Sequence, residues 1–194
     1  MAEDTKSYVW EHYFRPKSVK DVIMPQDYHN FFSKIIKGGA SQNLILSSTT
    51  PGSGKSTTAL ALAHDLDAEF LFLNASDDNG IDTIREMVPN FASTGSHNGN
   101  PKIIIFDEAD GMTPKGQEAL RNYIDKYQDN CRFILTCNHI ARIIKPLKEE
   151  GGRTMVFDYD LKNPKYIEEL RDKIYKRMEG ILKFEKVPFE EKAV

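Results

Sequence analysis

The sequence of 194 residues lacks a long apolar run. No stretch reaches the roughly 18 apolar residues that a membrane-spanning helix needs, so we expect no membrane segment. The N-terminal stretch, MAEDTKSYVWEHYF, contains acidic residues and no apolar core, so we expect no signal peptide. The length suffices for one α/β core with a short addition.

Cysteine is also scarce, since the chain has only Cys131 and Cys137. Both fall in one predicted strand, CRFILTCN, which cannot fold back to join them, so we predict two reduced thiols in a cytosolic protein. The five histidines are scattered and form no zinc-like spacing with the cysteines. The net charge of −3 neither indicates nor excludes nucleic-acid binding, because a local basic stripe can bind phosphates.

Five short apolar segments alternate with helical patterns. The predicted strands are 43–48, 69–74, 102–107, 131–138 and 154–159, and the predicted helices are 55–66, 79–90 and 114–127. Strands this rich in Ile, Leu, Phe and Val are typical of sheets covered on both faces. We therefore predict an α/β fold with a doubly wound, mostly parallel five-stranded sheet, whose ligands bind outside the carboxyl ends of the strands. The stretch ASTGSHNGNP, residues 92–101, is predicted to be a plain loop.

The C-terminal part of the chain predicts one long helix. Asn163 fits its N-cap and Pro164 its first turn. An apolar stripe at helical spacing follows, made of Ile167, Leu170, Ile174, Met178 and Ile181. This stripe either packs on the main core or belongs to a domain that normally follows.

The segment SSTTPGSGKSTT ends like a phosphate-binding loop. Such a loop points backbone N–H groups and a helix N-terminus at an anion, and side chains at its tightest places would block the approach. Gly52 and Gly54 occupy these places. Lys55 supplies a charge for the terminal phosphates, and Ser56 supplies a hydroxyl for Mg²⁺. Thr49 stands where the G-x-x-x-x-G-K-[ST] pattern has its first glycine, which is tolerable if its φ is negative. The preceding strand and the following helix favour nucleotide binding over a structural turn.

Two further strands end in polar residues that suit nucleotide hydrolysis. Asp107 is expected to hold Mg²⁺, directly or through water, and Glu108 to activate the attacking water. Asn138 is expected to contact the γ-phosphate or that water. Without the loop these residues would equally be surface acids and a turn former, but together with Lys55 they form a catalytic set. Asp110 receives no role beyond that of a solvated or capping residue.

The order of phosphate loop, FDEAD and TCN resembles that of AAA+ ATPases with a P-loop NTPase core. WEHYFRPKSVKDVI is similar to the N-terminal W-x-x-x-Y-R-P signature of sliding-clamp loader subunits of the replication factor C type, with Phe14 where tyrosine is usual. NASDDNGIDTIR is similar to the stretch after the second strand of that family. DVIMP, NFAS and IIKPL most resemble the clamp-loader large subunits of tailed bacteriophages. The resemblance spans residues 10–158, approximately.

The resemblance implies a site for ATP and Mg²⁺. Its adenine pocket would be lined by Glu11, His12, Tyr13, Phe14 and Ile23. Its phosphates would be held by Gly52, Ser53, Gly54, Lys55, Ser56 and Thr57, with Ser56 and Asp107 serving the metal. Phe14 offers adenine the same flat apolar face as tyrosine. The implied partners are other clamp-loader subunits, the sliding clamp and primer–template DNA, and the implied location is the cytoplasm, that of the host if the protein is viral.

The sequence departs from the family in two places. The arginine finger that reaches a neighbour's ATP site would fall at Gly151, and Arg153 matches a second family arginine that is a candidate substitute. The resemblance also implies an AAA+ ATPase core at residues 1–160 and the start of a helical lid domain at residues 161–194. This lid is incomplete, and its γ-phosphate-sensing arginine is absent. Arg85 and Arg121 are either couplers to DNA or a neighbour, or solvated helix charges. Three functions stay open: an ATP-hydrolysing clamp-loader subunit, a nucleotide-binding assembly module without efficient hydrolysis, and another AAA+ machine such as a branch-migration helicase subunit.

Overall fold

One parallel sheet organises the chain. The computed structural model describes residues 9–39, 42–75, 80–96, 99–148, 153–159 and 162–190, without the side chains of residues 11 and 80–83. The strands are β1 (Asn43–Ser47), β2 (Glu69–Asn74), β3 (Lys102–Asp107), β4 (Arg132–Cys137) and β5 (Thr154–Asp158). They lie in the order β2-β3-β4-β1-β5, and all neighbours pair in parallel. The predicted α/β fold is confirmed, and the carboxyl ends of β3, β4 and β1 lie side by side.

Helices cover both faces of this sheet. The described residues contain α1 (Trp10–Tyr13), α2 (Gln26–Gly38), α3 (Lys55–Asp65), α4 (Gly80–Ser93), α5 (Pro114–Tyr127), α6 (Lys145–Lys148) and α7 (Pro164–Phe184). Single 3₁₀ turns lie at Val19–Asp21, Ala109–Gly111 and Ile140–Arg142. Among the residues described, no helix is both long and apolar enough to cross a lipid bilayer.

The core has two layers because successive side chains of a strand point to opposite faces. On β3, Ile103 and Ile105 pack with residues of α2 and α3, whereas Ile104 and Phe106 pack with residues of α4 and α5. All four side chains are fully or almost fully buried. A strand that is apolar on both faces must be covered on both faces, which is why these strands are continuous hydrophobic runs rather than alternating ones.

The observed element bounds differ little from those predicted. β2, β3 and α5 match, β1 and β5 end one residue earlier, and α4 continues to Ser93, into the predicted 92–101 loop. Residue 79, the predicted start of α4, lies outside the described residues. Cys131 precedes β4 rather than belonging to it, while Cys137 is its last residue. Both thiols are free and buried, and burial raises the pKa of each to about 11, which keeps them protonated.

Helix α2 was not predicted, although its sequence carries a helical signal. Tyr28 and Phe32 are buried at i, i+4 spacing, and Gly39 ends the helix in the left-handed conformation at φ 70°. Tyr28 packs edge-on against Phe157 of β5, with ring centroids 4.9 Å apart. α2 therefore covers the outer strand next to β1 and holds the N-terminal part of the chain against the sheet.

The buried lysine Lys102 explains why α4 ends where it does. Its ammonium group donates hydrogen bonds to the carbonyl oxygens of Phe91 at 2.7 Å and Thr94 at 2.9 Å, and to the Thr94 hydroxyl at 2.6 Å. It also lies 4.5 Å from the centroid of the Phe91 ring. A cation is favourable at a helix C-terminus, where carbonyl groups lack intrahelical partners.

Replacing Lys102 by methionine is expected to destabilise the protein. The change removes the ammonium donor from both carbonyls and leaves that of Phe91 only the Thr94 hydroxyl, at 2.9 Å, so the free energy of unfolding should fall by about 1–3 kcal/mol. Urea denaturation measures this change, with the exposed Lys20→Met as the matched control. An unfolding midpoint equal to that of the unsubstituted protein would contradict the capping role.

The predicted N-terminal cap of α7 is confirmed: the Asn163 side chain accepts a hydrogen bond from the Lys165 amide, and Pro164 begins the helix. The predicted apolar stripe is only partly covered. Leu170 is buried and Ile181 half-buried, but Ile167, Ile174 and Met178 remain 51%, 46% and 44% exposed. Of the two alternatives left open, packing on the core therefore accounts for one side of the stripe and not for the whole.

Candidate nucleotide-binding site

The loop between β1 and α3 has the backbone geometry of an anion-binding site. Gly52 and Gly54 have φ values of 70° and 88°, and Gly54 is the N-cap of α3. A Cβ atom at Gly52 would meet nothing within 4 Å, and one at Gly54 would meet the Val22 side chain at 3.9 Å. Within the protein, glycine is thus required by the backbone conformation rather than by lack of space. Thr49 is not among the described residues with positive φ, so it meets the condition set for replacing glycine.

Lys55 begins α3 and points toward the carboxyl end of β4. Its ammonium group donates hydrogen bonds to the Asn138 side-chain oxygen at 2.9 Å and to the Ser53 hydroxyl at 3.2 Å. Only 7% of the residue is exposed. Burial lowers the pKa of this ammonium group, and surrounding groups, including the carboxylates of Asp107 and Asp110, partly oppose that shift. The structure therefore brings Lys55 and Asn138, two of the predicted site residues, into direct contact.

Ser56 and Asp107 form the second contact between the loop and the sheet. The Ser56 hydroxyl donates to Asp107 Oδ1 at 2.5 Å, and the Thr136 hydroxyl donates to the same oxygen at 2.6 Å. No group of three or more His, Cys, Asp or Glu side chains in the described part of the chain suits a metal ion. A hydroxyl and a carboxylate nevertheless fit Mg²⁺, which takes oxygen ligands and is commonly held by one or two protein groups plus substrate phosphates.

Glu108 follows Asp107 in a left-handed conformation, with φ 55° and ψ 42°. A non-glycine residue adopts this conformation at a cost, so its backbone needs fixed partners. The Glu108 amide donates to the Thr136 hydroxyl at 3.0 Å, and its carbonyl accepts from the Gly111 amide at 2.8 Å. Glu108 is exposed at the carboxyl edge of the sheet, and it directly follows Asp107, whose carboxylate accepts from Ser56.

Asp110 has a clear structural partner. Its carboxylate accepts hydrogen bonds from the backbone amides of Asn138 at 3.3 Å and His139 at 2.9 Å. This long-range contact is neither the solvated role nor the local capping role considered from the sequence. The contact fixes the turn after β4, and so the position of Asn138, relative to the acids after β3. Sequence reasoning missed this role, because the two segments are distant in the chain.

A pocket of about 380 Å³ lies beside the phosphate loop. Its lining comes from the N-terminal segment, the loop with the start of α3, and α7: Phe14, Pro16, Asp21, Val22 and Ile23; Gly52, Ser53, Gly54 and Thr57; Leu170, Ile174, Arg177 and Ile181. Two of the five predicted adenine-pocket residues, Phe14 and Ile23, thus face the same space as the loop. Pockets of this size and mixed polarity are usual for small ligands.

Two other predicted adenine-pocket residues, His12 and Tyr13, are not among the residues that line this pocket. Tyr13 packs edge-on against Phe14, with ring centroids 4.9 Å apart, and not in the pocket lining. His12 is exposed on α1, and the side chain of Glu11 lies outside the described residues. Trp10 also packs edge-on against Phe14, at 6.4 Å between centroids. Trp10 and Tyr13 therefore both pack against the ring of Phe14, which lines the pocket.

Helix α7 is attached to the N-terminal segment by polar side chains on one face. Glu169 accepts from the Gln26 amide at 3.0 Å, and Lys173 donates to the Met24 carbonyl at 2.9 Å. Arg177 donates to the Phe14 carbonyl at 2.9 Å. Because these residues are four apart in a helix, they lie on one face. These hydrogen bonds join α7 to the N-terminal segment, and both of these parts line the pocket.

The candidate arginines are engaged within the chain or lie apart from the site. Arg153 forms an ion pair with Asp125 and donates to the Pro146 carbonyl at 3.3 Å. Arg121 pairs with Glu118 at 3.2 Å. Gly151, where the finger would fall, lies outside the described residues. Arg85 is exposed on α4. The Asp125 pair argues against Arg153 as a free substitute for the finger.

A parallel sheet with a glycine-containing loop after β1 and acids after β3 defines the class of P-loop nucleotide-binding proteins. The profile of the ATPase family associated with various cellular activities (AAA) matches residues 45–159, more than half of the chain. The chain therefore belongs to the AAA family of ATPases.

Similar proteins include both groups that the sequence resembles. A replication factor C small subunit of Sulfurisphaera tokodaii is 38% identical over 193 residues, covering 96% of this chain and 55% of the relative. A sliding-clamp-loader large subunit of Enterobacteria phage T4 is 39% identical over 145 residues, covering 74% of this chain and 45% of the relative. The recognised resemblance is confirmed. The chain spans about half the length of the curated relatives it matches.

Among solved structures, a RuvB Holliday junction branch migration motor of Thermotoga maritima matches with a TM-score of 0.66. The match covers 91% of this chain and 56% of that chain at 19% identity. A likeness at this identity shows the shared fold and nothing about the reaction or the partner.

Proposed function

We propose that this chain is the ATP-hydrolysing part of a sliding-clamp loader that opens the clamp and places it on primer–template DNA. The observation that carries the proposal is a pair of hydrogen bonds, which Lys55 donates to Asn138 and Ser56 donates to Asp107. Each bond joins the start of α3, directly after the phosphate loop, to the carboxyl end of a strand. The names of the relatives support the clamp-loading role. The proposed partners are other loader subunits, the clamp and DNA, and a cytoplasmic location belongs to the same proposal.

In the proposed reaction, water attacks the γ-phosphate of ATP. Lys55 binds the terminal phosphates, Glu108 takes the proton of the attacking water, and Asn138 holds the water or the γ-phosphate. Ser56 and Asp107 would hold Mg²⁺, which would neutralise the negative charge of the phosphates. Glycine-loop amides bind the phosphates, and the pocket beside Phe14 and Ile23 receives the base. His12, Tyr13 and Glu11 remain predicted neighbours of the base.

The domain division is part of the proposal. Residues 1–160 form the AAA core, and α7 within residues 161–194 is the first helix of the lid. Its support is that α7 residues line the pocket beside Gly52 and Gly54. The contacts of Glu169, Lys173 and Arg177 with the N-terminal segment make α7 a wall of that pocket.

A second candidate function is a nucleotide-binding assembly module without efficient hydrolysis. The observation that favours it is the Arg153–Asp125 ion pair, which holds the candidate finger within its own chain. An arginine supplied to a neighbouring site raises the rate by about 10³–10⁵-fold in related phosphoryl-transfer systems. Since the finger acts on a neighbour's ATP site, an Arg153 held by Asp125 would slow hydrolysis at that neighbouring site, and an assembly of copies of this chain would bind nucleotide without efficient turnover.

Measurement of phosphate release separates these functions. ATP turnover is recorded for the chain alone, then with sliding clamps of the archaeal and phage types, primer–template DNA and a candidate C-terminal lid polypeptide. Stimulation by clamp and DNA together supports the loader. Nucleotide binding without turnover in every mixture supports the module, and stimulation by four-way junction DNA in place of primer–template supports a branch-migration machine.

A further inference from the structure

Thr136 has no role in the site as predicted from the sequence, yet it contacts both Asp107, the last residue of β3, and Glu108, which follows it. It lies near the end of β4 and is 1% exposed. Its hydroxyl donates to Asp107 Oδ1 at 2.6 Å and accepts from the Glu108 amide at 3.0 Å. One buried side-chain oxygen thus joins the expected metal-binding carboxylate to the backbone of the expected general base.

The direction of the two bonds follows from the chemistry of the groups. A threonine hydroxyl has one hydrogen, and an ionised carboxylate can only accept, so that hydrogen is directed at Asp107. The Glu108 N–H then points at a lone pair of the same oxygen. Valine has nearly the same shape as threonine but provides neither a donor nor an acceptor, so it would break both contacts.

Both contacts act on geometry that the reaction needs. Asp107 Oδ1 also accepts from Ser56, so Thr136 and Ser56 together fix the orientation of that carboxylate. Glu108 has the left-handed φ of 55°, a conformation that persists only when its surroundings hold it. Anchoring its amide holds the turn that projects the Glu108 side chain from the sheet edge.

We infer that Thr136 is a positioning residue for ATP hydrolysis, which aligns Asp107 for Mg²⁺ and Glu108 for the attacking water. The inference rests on the proposed function for its rate effect, and on the hydrogen bonds alone for its effect on Mg²⁺. Thr136 touches neither phosphate nor water in this role; it acts through the two acids.

The experiment compares Thr136→Val, Thr136→Ser and Thr154→Val. Serine keeps the hydroxyl, and Thr154 is a matched control because its buried hydroxyl donates to the Leu147 carbonyl at the opposite edge of the sheet. ADP affinity is measured by calorimetry with Mg²⁺ and with EDTA, and kcat by phosphate release. Thermal unfolding is recorded for each variant.

For Thr136→Val we expect kcat to fall about 10–100-fold and the Mg²⁺-dependent gain in ADP affinity to fall about tenfold, with affinity in EDTA unchanged. Thr136→Ser should retain both properties within about threefold, and Thr154→Val should leave them unchanged. If valine prevents folding, Thr136→Cys tests the same contacts, because a thiol is a weak hydrogen-bonding group and should give intermediate losses.

Two results would overturn the inference. One is a Thr136→Val protein with unaltered turnover and unaltered Mg²⁺ dependence of ADP binding. The other is an equal loss in the valine and serine variants, which would assign the effect to packing of the methyl group. A chain that binds nucleotide but shows no turnover in any mixture refutes the proposed function, while the Mg²⁺-dependent ADP affinities still decide the role of Thr136.

Discussion

Replacing Glu108 by glutamine is expected to lower kcat for ATP hydrolysis by about 10²–10⁴-fold. Glutamine has the size of glutamate but cannot take a proton from water, and the other carboxylate of the proposed site, Asp107, is assigned to Mg²⁺ rather than to water. The Glu108 amide donates to the Thr136 hydroxyl and its carbonyl accepts from the Gly111 amide, and neither hydrogen bond involves the Glu108 side chain. The left-handed turn should therefore persist in the variant, and ATP affinity should stay within about twofold.

The measurement is phosphate release at saturating ATP, combined with calorimetric binding of ATP. Glu86→Gln is the matched control, because Glu86 is an exposed carboxylate on α4 and should leave both quantities unchanged. Turnover of Glu108→Gln near that of the unsubstituted chain would reject Glu108 as the base. A parallel loss of affinity and turnover would instead indicate damage to the phosphate loop.

Replacing Lys55 by methionine is expected to weaken binding of ADP and ATP by about 10–100-fold and to abolish turnover. The ammonium group is the positive charge of the loop, and charge-assisted hydrogen bonds to phosphate are worth roughly twice a neutral one. The group is almost fully buried, and burial lowers its pKa. Its charge therefore costs free energy before nucleotide arrives, and methionine removes that cost.

The same variant should accordingly unfold at an equal or higher temperature than the unsubstituted chain when nucleotide is absent. Thermal unfolding with and without ADP and Mg²⁺ measures both effects, and the exposed Lys34→Met serves as the control. Retained stabilisation by ADP in Lys55→Met would show that the ammonium group does not bind phosphate. A large loss of stability without nucleotide would show that Lys55 is chiefly a structural residue.

The sheet could be predicted because its strands are continuous apolar runs between helical patterns. β3, for example, reads KIIIFD, and the buried alternation of Ile103 to Phe106 follows from its position between two helical layers. The loop and the strand-end residues could be predicted because parallel strands bring their carboxyl ends to one edge. Local pattern and chain order were sufficient for these features.

The remaining features depend on pairs of residues that are distant in sequence. Nothing near Asp110 indicates that its carboxylate binds the amides of Asn138 and His139. In the sequence, Lys102 looks like an ordinary charge at the start of β3. In the structure it is buried, and its ammonium group donates to a carbonyl group near the C-terminal end of α4. Arg153 matched a family position, but its pairing with Asp125 of α5 joins residues that are 28 positions apart in the chain. Sequence periodicity contains no information on such tertiary contacts.

The edge-on packing of Trp10 against Phe14 has a practical consequence, since Trp10 is the single tryptophan of the chain. Phe14 faces the pocket proposed for the base, and a smaller neighbouring cavity of about 320 Å³ is lined by Trp10 and Phe14 together with Thr57. A base that stacks on Phe14 changes the polarity around the indole, so intrinsic fluorescence should report occupancy without any attached dye. Every variant described above then carries the same optical signal, and nucleotide capture can be timed in a stopped-flow instrument separately from bond cleavage.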